Sequence, residues 1–509
     1  MVPYAEISVV TTVKDDSIIF NRGKKVCTRL LPSKQSILLA ATHTVVLLFF
    51  AGALYGIIGE NSLPGSEIFA LFSLAISAYA GGVLVGYFKL PPLLGMLVSG
   101  ILFRNLPFMT FHENISIMWA STFRDTSLVI ILLKAGLGLD PEKLKRLKMA
   151  VIKLSFIPCL LETLGSSVFA HYLLGLPWLW SCMLGFIVSA VSAAVLVPGV
   201  LMLEEKRYGI RSGIPTLIMA SVSIDNIVAL TGFVVTFSIL SSNENLTWAL
   251  VKRPLEPCIG FLFGGIFGAL LRYIPDENIP KNSLVYYRTI LLFLGGMAFS
   301  FVSKRAGISG AGALSCVSLA FVAALKWRKD PEQYKTICWI TGILWQLIEP
   351  FLFGLIGAEI TLESLQNDLG YAVLTLILGL LVRAIATILA LMRSQLSFKE
   401  KLFVSSSWLA KATVQAAVGS QALDYARSQS KGYEFETYSK QVLTLSVLSI
   451  ILTAPLGSAF MECLGPYLLE KDPVVTDLQS ESEEDETDIV VEKRASYGSC
   501  SVTLSSRNS

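Results

Sequence analysis

The side chains able to do chemistry in this chain are ionisable groups set inside long apolar runs. Asp225 lies near the middle of the run 213–240, in Ser221-Val222-Ser223-Ile224-Asp225-Asn226-Ile227-Val228. Glu162 lies within 149–174, Arg383 within 369–392, Lys411 within 401–420, and Arg124 with Asp125 within 115–139. Glu349 and Glu359 flank Pro350 and two glycines in the run 338–359. An ionisable group deep in a membrane span costs several kcal/mol unless it is paired or wetted, so each of these is a functional candidate by default. A mid-span carboxylate can lose a proton and then bind a hard cation through oxygen, the simplest device for exchanging protons against Na+ or Li+. Asp225 fits that description. Ser221, Ser223, Asn226 and Thr231 are neighbours able to add oxygen ligands, although a helical serine more often bonds back to the preceding turn.

Two runs look interrupted. Ser192-Ala193-Ala194-Val195-Leu196-Val197-Pro198 and Trp408-Leu409-Ala410-Lys411-Ala412-Thr413-Val414-Gln415 mix small or polar residues with a helix breaker or a charge. Each is fifth in a set of six runs, the sets being 68–240 and 288–467, with 254–273 as a linker and 36–59 as an extra N-terminal span. Discontinuous helices at corresponding positions of two halves point to a transporter site built from inverted repeats. Ser192 and Lys411 would then lie at the site, Lys411 offsetting the partial negative charge of half-helix C-termini. An ordinary snorkelling lysine is disfavoured by its distance from both ends of the run.

The elements that must hold these residues follow from composition. Of 509 residues 53% are hydrophobic and 16% charged, against roughly 25% charged in a soluble globular chain. The apolar residues fall into about fourteen runs near 36–59, 68–88, 91–104, 115–139, 149–174, 178–203, 213–240, 254–273, 288–304, 310–326, 338–359, 369–392, 401–420 and 440–467, each of a length suited to a hydrocarbon layer. A soluble multidomain enzyme is excluded, and no enzyme activity is expected. Net charge is +3, too weak a field for a nucleic-acid partner. Six of the eight cysteines sit in or beside apolar runs without metal or redox spacing, and His43, His112 and His171 are too few and scattered for a histidine site. No phosphate-binding Gly-x-x-x-x-Gly-Lys-Ser/Thr loop is present, which disfavours an ATP-driven pump, and no cofactor is expected.

Sidedness comes from the basic loops. With the N-terminus inside, Lys143, Lys145, Arg146 and Lys148, then Lys206, Arg207 and Arg211, Lys281 and Arg288, Lys326, Arg328 and Lys329, and Arg393, Lys399 and Lys401 all fall inside. Lys252 with Arg253 and Lys304 with Arg305 are outer exceptions. The sequons at Asn114 and Asn245 fall outside, where glycosylation occurs, and both termini are cytoplasmic. The expected organisation is a cytoplasmic segment 1–35 without signal-peptide order, a transmembrane domain 36–468, and an acidic, disordered cytoplasmic tail 469–509.

The chain resembles the animal NHA-type sodium/proton antiporters, the 9B-like sodium/hydrogen exchangers of the cation/proton antiporter superfamily, over nearly all of residues 36–468. The resemblance rests on Leu133-Lys134-Ala135-Gly136-Leu137-Gly138-Leu139-Asp140, Ala170-His171-Tyr172-Leu173-Leu174-Gly175-Leu176-Pro177-Trp178, Leu352-Phe353-Gly354-Leu355-Ile356-Gly357-Ala358-Glu359 and Lys411-Ala412-Thr413-Val414-Gln415-Ala416-Ala417. It implies an all-α polytopic membrane protein of the NhaA-like antiporter fold, with two inverted repeats and crossed broken helices. It further implies a homodimer with a mobile six-helix core working as an elevator, a buried Glu162–Arg383 pair between core helices, and Lys411 at the crossover. Typical members carry two adjacent aspartates where this chain has Asp225 and Asn226, the second usually regarded as the cation ligand, and a proline where it has Ala193.

The leading expectation is a proton-coupled Na+/Li+ antiporter, K+ being a further substrate to consider, in the plasma membrane. Asp225 alternates between proton and cation, Asn226 is a neutral ligand, and lipid and a second copy of the chain are the other partners. Asp125, Glu349 and Glu359 are the secondary candidates. One carboxylate near Lys411 and Arg383 also suits a proton-coupled chloride or anion carrier, and a transport-inactive membrane partner is the third alternative.

Overall fold

The computed structural model describes residues 52–471, apart from 89, 107–113, 143–147, 243–245, 277–278 and 362–368, together with residues 38, 42, 45 and 49. The chain divides into two units, Met1–Ser66 and Glu67–Ser509. In the first, residues 52–58 are helical and lead into a 3-10 turn at Gly59–Ser62. His43, His112, Asn245 and most of the expected tail lie outside the described residues.

From Glu67 onward the regular structure of the described chain is helical. The helices are α1 (Glu67–Gly86), α2 (Pro92–Asn105), α3 (Ile117–Gly138), α4 (Lys148–Leu174), α5 (Trp178–Ser189), α6 (Ala193–Glu205), α7 (Ile214–Ser241) and α8 (Leu246–Lys252). Then come α9 (Leu255–Leu270), α10 (Lys281–Arg305), α11 (Ser309–Trp327), α12 (Pro331–Ala358), α13 (Leu369–Ala390), α14 (Phe398–Ser407), α15 (Thr413–Val418), α16 (Gln421–Ser428) and α17 (Tyr433–Leu468). Among the described residues no strand forms; Tyr208 and Lys471 make an isolated bridge. Nine of the described spans, α5 and α6 taken together, are long and apolar enough to cross a membrane, and α2 is apolar but shorter. The protein is an integral, multi-pass membrane protein.

Every run expected from residue 68 onward falls on a helix or a broken helix pair. Helix α12 begins seven residues before its apolar run because Asp330 caps it, accepting from Gln333 N at 3.2 Å, with Pro331 at the first helical position. Both interruptions occur, the first upstream of the expected breaker. Pro198 lies inside α6, whereas residues 190–192 are extended. The second spans residues 408–412 between α14 and α15.

The helices of the second unit pack mainly in two groups. In one, α1–α3 and α9–α12 surround a core that includes Leu97, Val129, Leu133 and Leu352. There α9 lies against α11 through Gly260, Gly264 and Gly268, where an added Cβ would run into the backbone of Ala311, Ser315 and Leu319. That is the close approach small residues at every fourth position permit between helices in lipid. In the other group α4 packs on α5, α7 and α13, while α17 packs on α6 and α14. This second group holds both interruptions.

Candidate functional site

The two interruptions touch. Ser192 N donates to Ala410 O at 2.8 Å, joining the extended break of the first helix to that of the second. A break in a helix frees backbone N–H and C=O groups, and in a membrane interior those groups need partners within the protein. Here they find side chains. Val191 N donates to Asp225 Oδ2 at 3.1 Å, Lys411 N to Thr453 Oγ1 at 2.9 Å, and Arg383 Nε to Trp408 O at 2.8 Å.

Four ionisable side chains meet around this crossing, each at most 1% exposed: Glu162 on α4, Asp225 on α7, Arg383 on α13 and Lys411 in the second break. Arg383 bridges the two acids, Nη1 reaching Glu162 Oε2 at 2.5 Å and Nη2 reaching Asp225 Oδ1 at 2.8 Å. Lys411 Nζ takes the same Glu162 Oε2 at 2.8 Å. Both cations also donate to Ser189 O, the last residue of α5, placing positive charge at a half-helix C-terminus. With all four ionised the quartet sums to zero, and each charge has an opposite partner, the condition under which buried charges are tolerated. The guanidinium fork suits this bridging task, since its donors point in fixed directions and it does not deprotonate.

Several neutral side-chain oxygens on α7, α15 and the first break lack partners among the described residues. Among the described residues, the side-chain oxygens of Ser192, Ser221 and Gln415, and Asn226 Oδ1, are buried and accept or donate no hydrogen bond. Ser192 and Ser221 are fully buried, Gln415 is 1% exposed and Asn226 half-buried. A small cavity of about 10 Å³, room for about one water, lies beside Glu162 and Lys411, lined also by Ser166, Ser449 and Thr453. Ala193 occupies the first position of α6, where a proline would be tolerated.

The secondary candidates lie in other clusters. Glu359 follows α12 and pairs with Arg427 at 2.9 Å and with Arg124 at 3.6 Å. Arg124, 1% exposed, forks onto Asp424, with Nε to Oδ2 at 3.0 Å and Nη2 to Oδ1. Asp125 pairs with Lys304 at 2.6 Å. Glu349 sits in α12 near Trp345, over whose ring Lys134 Nζ lies 5.5 Å from the centroid. Asp424 and Arg427 are absent from the sequence-derived candidates, because they fall in α16, beyond the run that ends near residue 420. His171 is a packing residue, its Nδ1 at 2.7 Å from Leu176 O and its ring stacked on Trp178. Asn114 is half-buried, just before Ser116, which caps α3 by accepting from Trp119 N.

The comparisons with known proteins bear on this arrangement. The profile described as sodium/hydrogen exchanger, transmembrane, matches residues 71–462, which include both breaks and all four charges of the quartet. The chain belongs to the sodium/hydrogen exchanger family. It is 40% identical to the human sodium/hydrogen exchanger 9B2 over 437 residues, 84% of this chain and 80% of that one. Against the human sodium/hydrogen exchanger 9B1 the identity is 37% over 484 residues, 93% of each chain. Among solved structures, the sodium proton antiporter MjNhaP1 from Methanocaldococcus jannaschii at pH 8 superposes with a TM-score of 0.60 at 21% identity, covering 78% of this chain and 98% of its own. The fold of this family member is accordingly that of an NhaA-like antiporter.

Proposed function

We infer that this exchanger-family member is a proton-coupled antiporter of Na+ or Li+, and that Asp225 is the carboxylate that alternates between proton and cation. The observation carrying this reading is the position of Asp225: fully buried, hydrogen-bonded by Val191 N of the first break, and paired with a guanidinium that cannot itself give up a proton. An arriving cation competes with Arg383 for Asp225 Oδ1, and Arg383 keeps Glu162 as a second anchor. A proton on Asp225 competes for the same oxygens, so apparent cation affinity falls as pH falls. With a cation on Asp225, Arg383 and Lys411 share Glu162. The replacement of the usual second aspartate by Asn226 leaves a neutral amide oxygen at that position, a ligand for a cation without an added charge.

The chloride reading draws on the same replacement together with the presence of Arg383 and Lys411. It is the weaker of the two, because both cations are committed to carboxylates and to Ser189 O. Alternating access by an elevator motion of α4–α7 with α13–α17, assembly as a homodimer in contact with lipid, and residence in the plasma membrane with both termini inside complete the proposal. The division into segments 1–35, 36–468 and 469–509 belongs to it as well.

Flux in proteoliposomes, with Na+, Li+, K+ and Cl− varied one at a time, is the test. Asp225→Asn is expected to abolish coupled cation–proton flux while the protein still assembles. The buried amide is cheaper than an unpaired carboxylate, but it leaves Arg383 one partner short. Robust pH-dependent cation flux in a folded Asp225→Asn protein would overturn the assignment; chloride-dependent proton flux in the parent would establish the anion reading instead.

A further inference from the structure

Gln415 lies in the first turn of α15, just past the second break, and is 1% exposed. Its Nε2 donates to Ile187 O at 2.9 Å and to Ala190 O at 2.8 Å, two carbonyls freed where α5 ends. A side-chain amide offers two N–H donors on one side and an oxygen on the other. With two carbonyls as partners, the group facing them has to be the NH2, since the flipped amide would set oxygen against oxygen. Oε1 is therefore turned away from α5, where it is buried and without a partner among the described residues. An orphaned amide oxygen in a protein interior calls for a specific explanation.

The surroundings supply one. The break 190–192 is held at successive residues, Ala190 O by Gln415 and Val191 N by Asp225 Oδ2. The next residue, Ser192, has a fully buried hydroxyl that is likewise without a partner. A carboxylate and two unpartnered neutral oxygens are thus tied to one three-residue segment. A hard monovalent cation stripped of water takes oxygen ligands of this mixed kind. An anion would find only the Ser192 hydroxyl as a free donor among these three groups, set beside a carboxylate and an amide oxygen that repel it, since both N–H groups of Gln415 are already engaged.

We propose that Gln415 Oε1 is a ligand of the transported cation, acting beside Asp225 with the Ser192 hydroxyl completing the set. The inference rests on the antiport reading of Asp225. Gln415 has two tasks: its nitrogen clips the second broken helix to the end of the first, and its oxygen faces the ion. A Gln415→Met variant keeps the length of the side chain and removes the oxygen. A Ser192→Ala variant removes the other neutral oxygen of the proposed set without adding a charge and leaves the Gln415 clip on Ile187 O and Ala190 O untouched, so it carries the test should loss of the clip prevent folding.

The measurements are half-saturating Na+ and Li+ in proteoliposome flux and the Na+- or Li+-dependent rise in melting temperature of the purified protein, which reads binding without transport. The expected result is a half-saturating concentration raised about tenfold or more, as for loss of a supporting partner at a metal site. The melting rise should move to correspondingly higher cation concentration, with maximal flux of Gln415→Met retained at saturation. Parent-like half-saturation in a folded variant overturns the proposal, as does a fall in maximal flux alone, which is the signature of a purely structural clip. Asp225→Asn, run in parallel, separates the two ideas. Retained coupled flux there defeats the Asp225 reading, whereas a normal Gln415→Met beside an inactive Asp225→Asn defeats only the present one.

Discussion

At the scale of single residues, the informative signal in this sequence is charge where charge is expensive. Glu162, Asp225, Arg383 and Lys411 stand out because each interrupts an apolar run, and a sequence pattern records that directly. Their partners are not recorded. Arg383 and Asp225 are 158 positions apart, Lys411 and Glu162 249, and no local periodicity carries such a pairing. Gln415 escaped notice as a ligand because a neutral amide in a small-residue stretch is not costly enough to mark a site. The shared use of Glu162 changes what its removal should do. Glu162→Gln leaves Arg383 with Asp225 as its one carboxylate and Lys411 with a backbone carbonyl, so a loss of roughly 3 to 5 kcal/mol in stability is expected, read as a lowered melting temperature in detergent. A charge swap of Glu162 with Arg383 should recover little of it, since it sets positive charge against Lys411 and negative charge against Asp225; full recovery would show that the bridging does not persist in solution. Asn226→Asp adds one negative charge to the site and, by the field acting on a moving charge, should alter voltage dependence or ion preference. Identical behaviour of parent and variant against an imposed potential would remove position 226 from the site.

At the scale of elements, run length and composition were enough to locate the long apolar helices from residue 68 onward, although the short α8 and α16 fall outside every run, and small or polar residues pointed to both interruptions. What the pattern missed is where the first break falls. Proline was the obvious candidate, yet α6 continues through Pro198, and the extended residues lie upstream because Asp225 and Ala410 offer Val191 N and Ser192 N better partners than another helical turn. Two of the four basic residues that depart from the expected basic-inside pattern are held by acids. Arg253 pairs with buried Glu256 at 2.5 Å and Lys304 with Asp125 at 2.6 Å, so both are tied up in packing between elements. Burial separates these pairs in consequence. Lys304 is about half exposed, and Lys304→Gln should cost no more than about 1 kcal/mol. Asp424→Ala strips a buried guanidinium of its forked partner and should cost toward the lower end of roughly 3 to 5 kcal/mol, Glu359 remaining 3.6 Å away. Thermal melting of the two variants side by side checks the ordering, and equal losses would contradict it.

At the scale of the whole second unit, the division into two helix groups is what a transporter fold needs and what a sequence read run by run does not display. The quartet lies on α4, α7, α13 and in the break that follows α14, all in the second group, so relative motion of the groups would carry it intact. The forked Arg124–Asp424 pair and the Arg427–Glu359 pair run the other way, joining α16, which packs on α17, to α3 and to the end of α12 in the other group. A motion of one group against the other must break these links, whereas contacts such as Asn105 Nδ2 to Ile360 O, at 2.9 Å within the first group, should persist through it. This contrast gives a test of rigid-body alternating access. In a background lacking exposed cysteines, cysteines at positions 124 and 424 joined by a reducible bifunctional thiol reagent should stop flux, and reductant should restore it. The same reagent bridging cysteines at 105 and 360 should leave flux near that of the unlinked protein. Replacing both members of the Arg124–Asp424 pair removes the stranded charge that makes single substitutions costly, so the doubly substituted protein is expected to fold. Uninhibited flux across a locked 124–424 link would mean that the two groups do not move against each other at this seam, and that ions reach Asp225 by local rearrangement around the breaks.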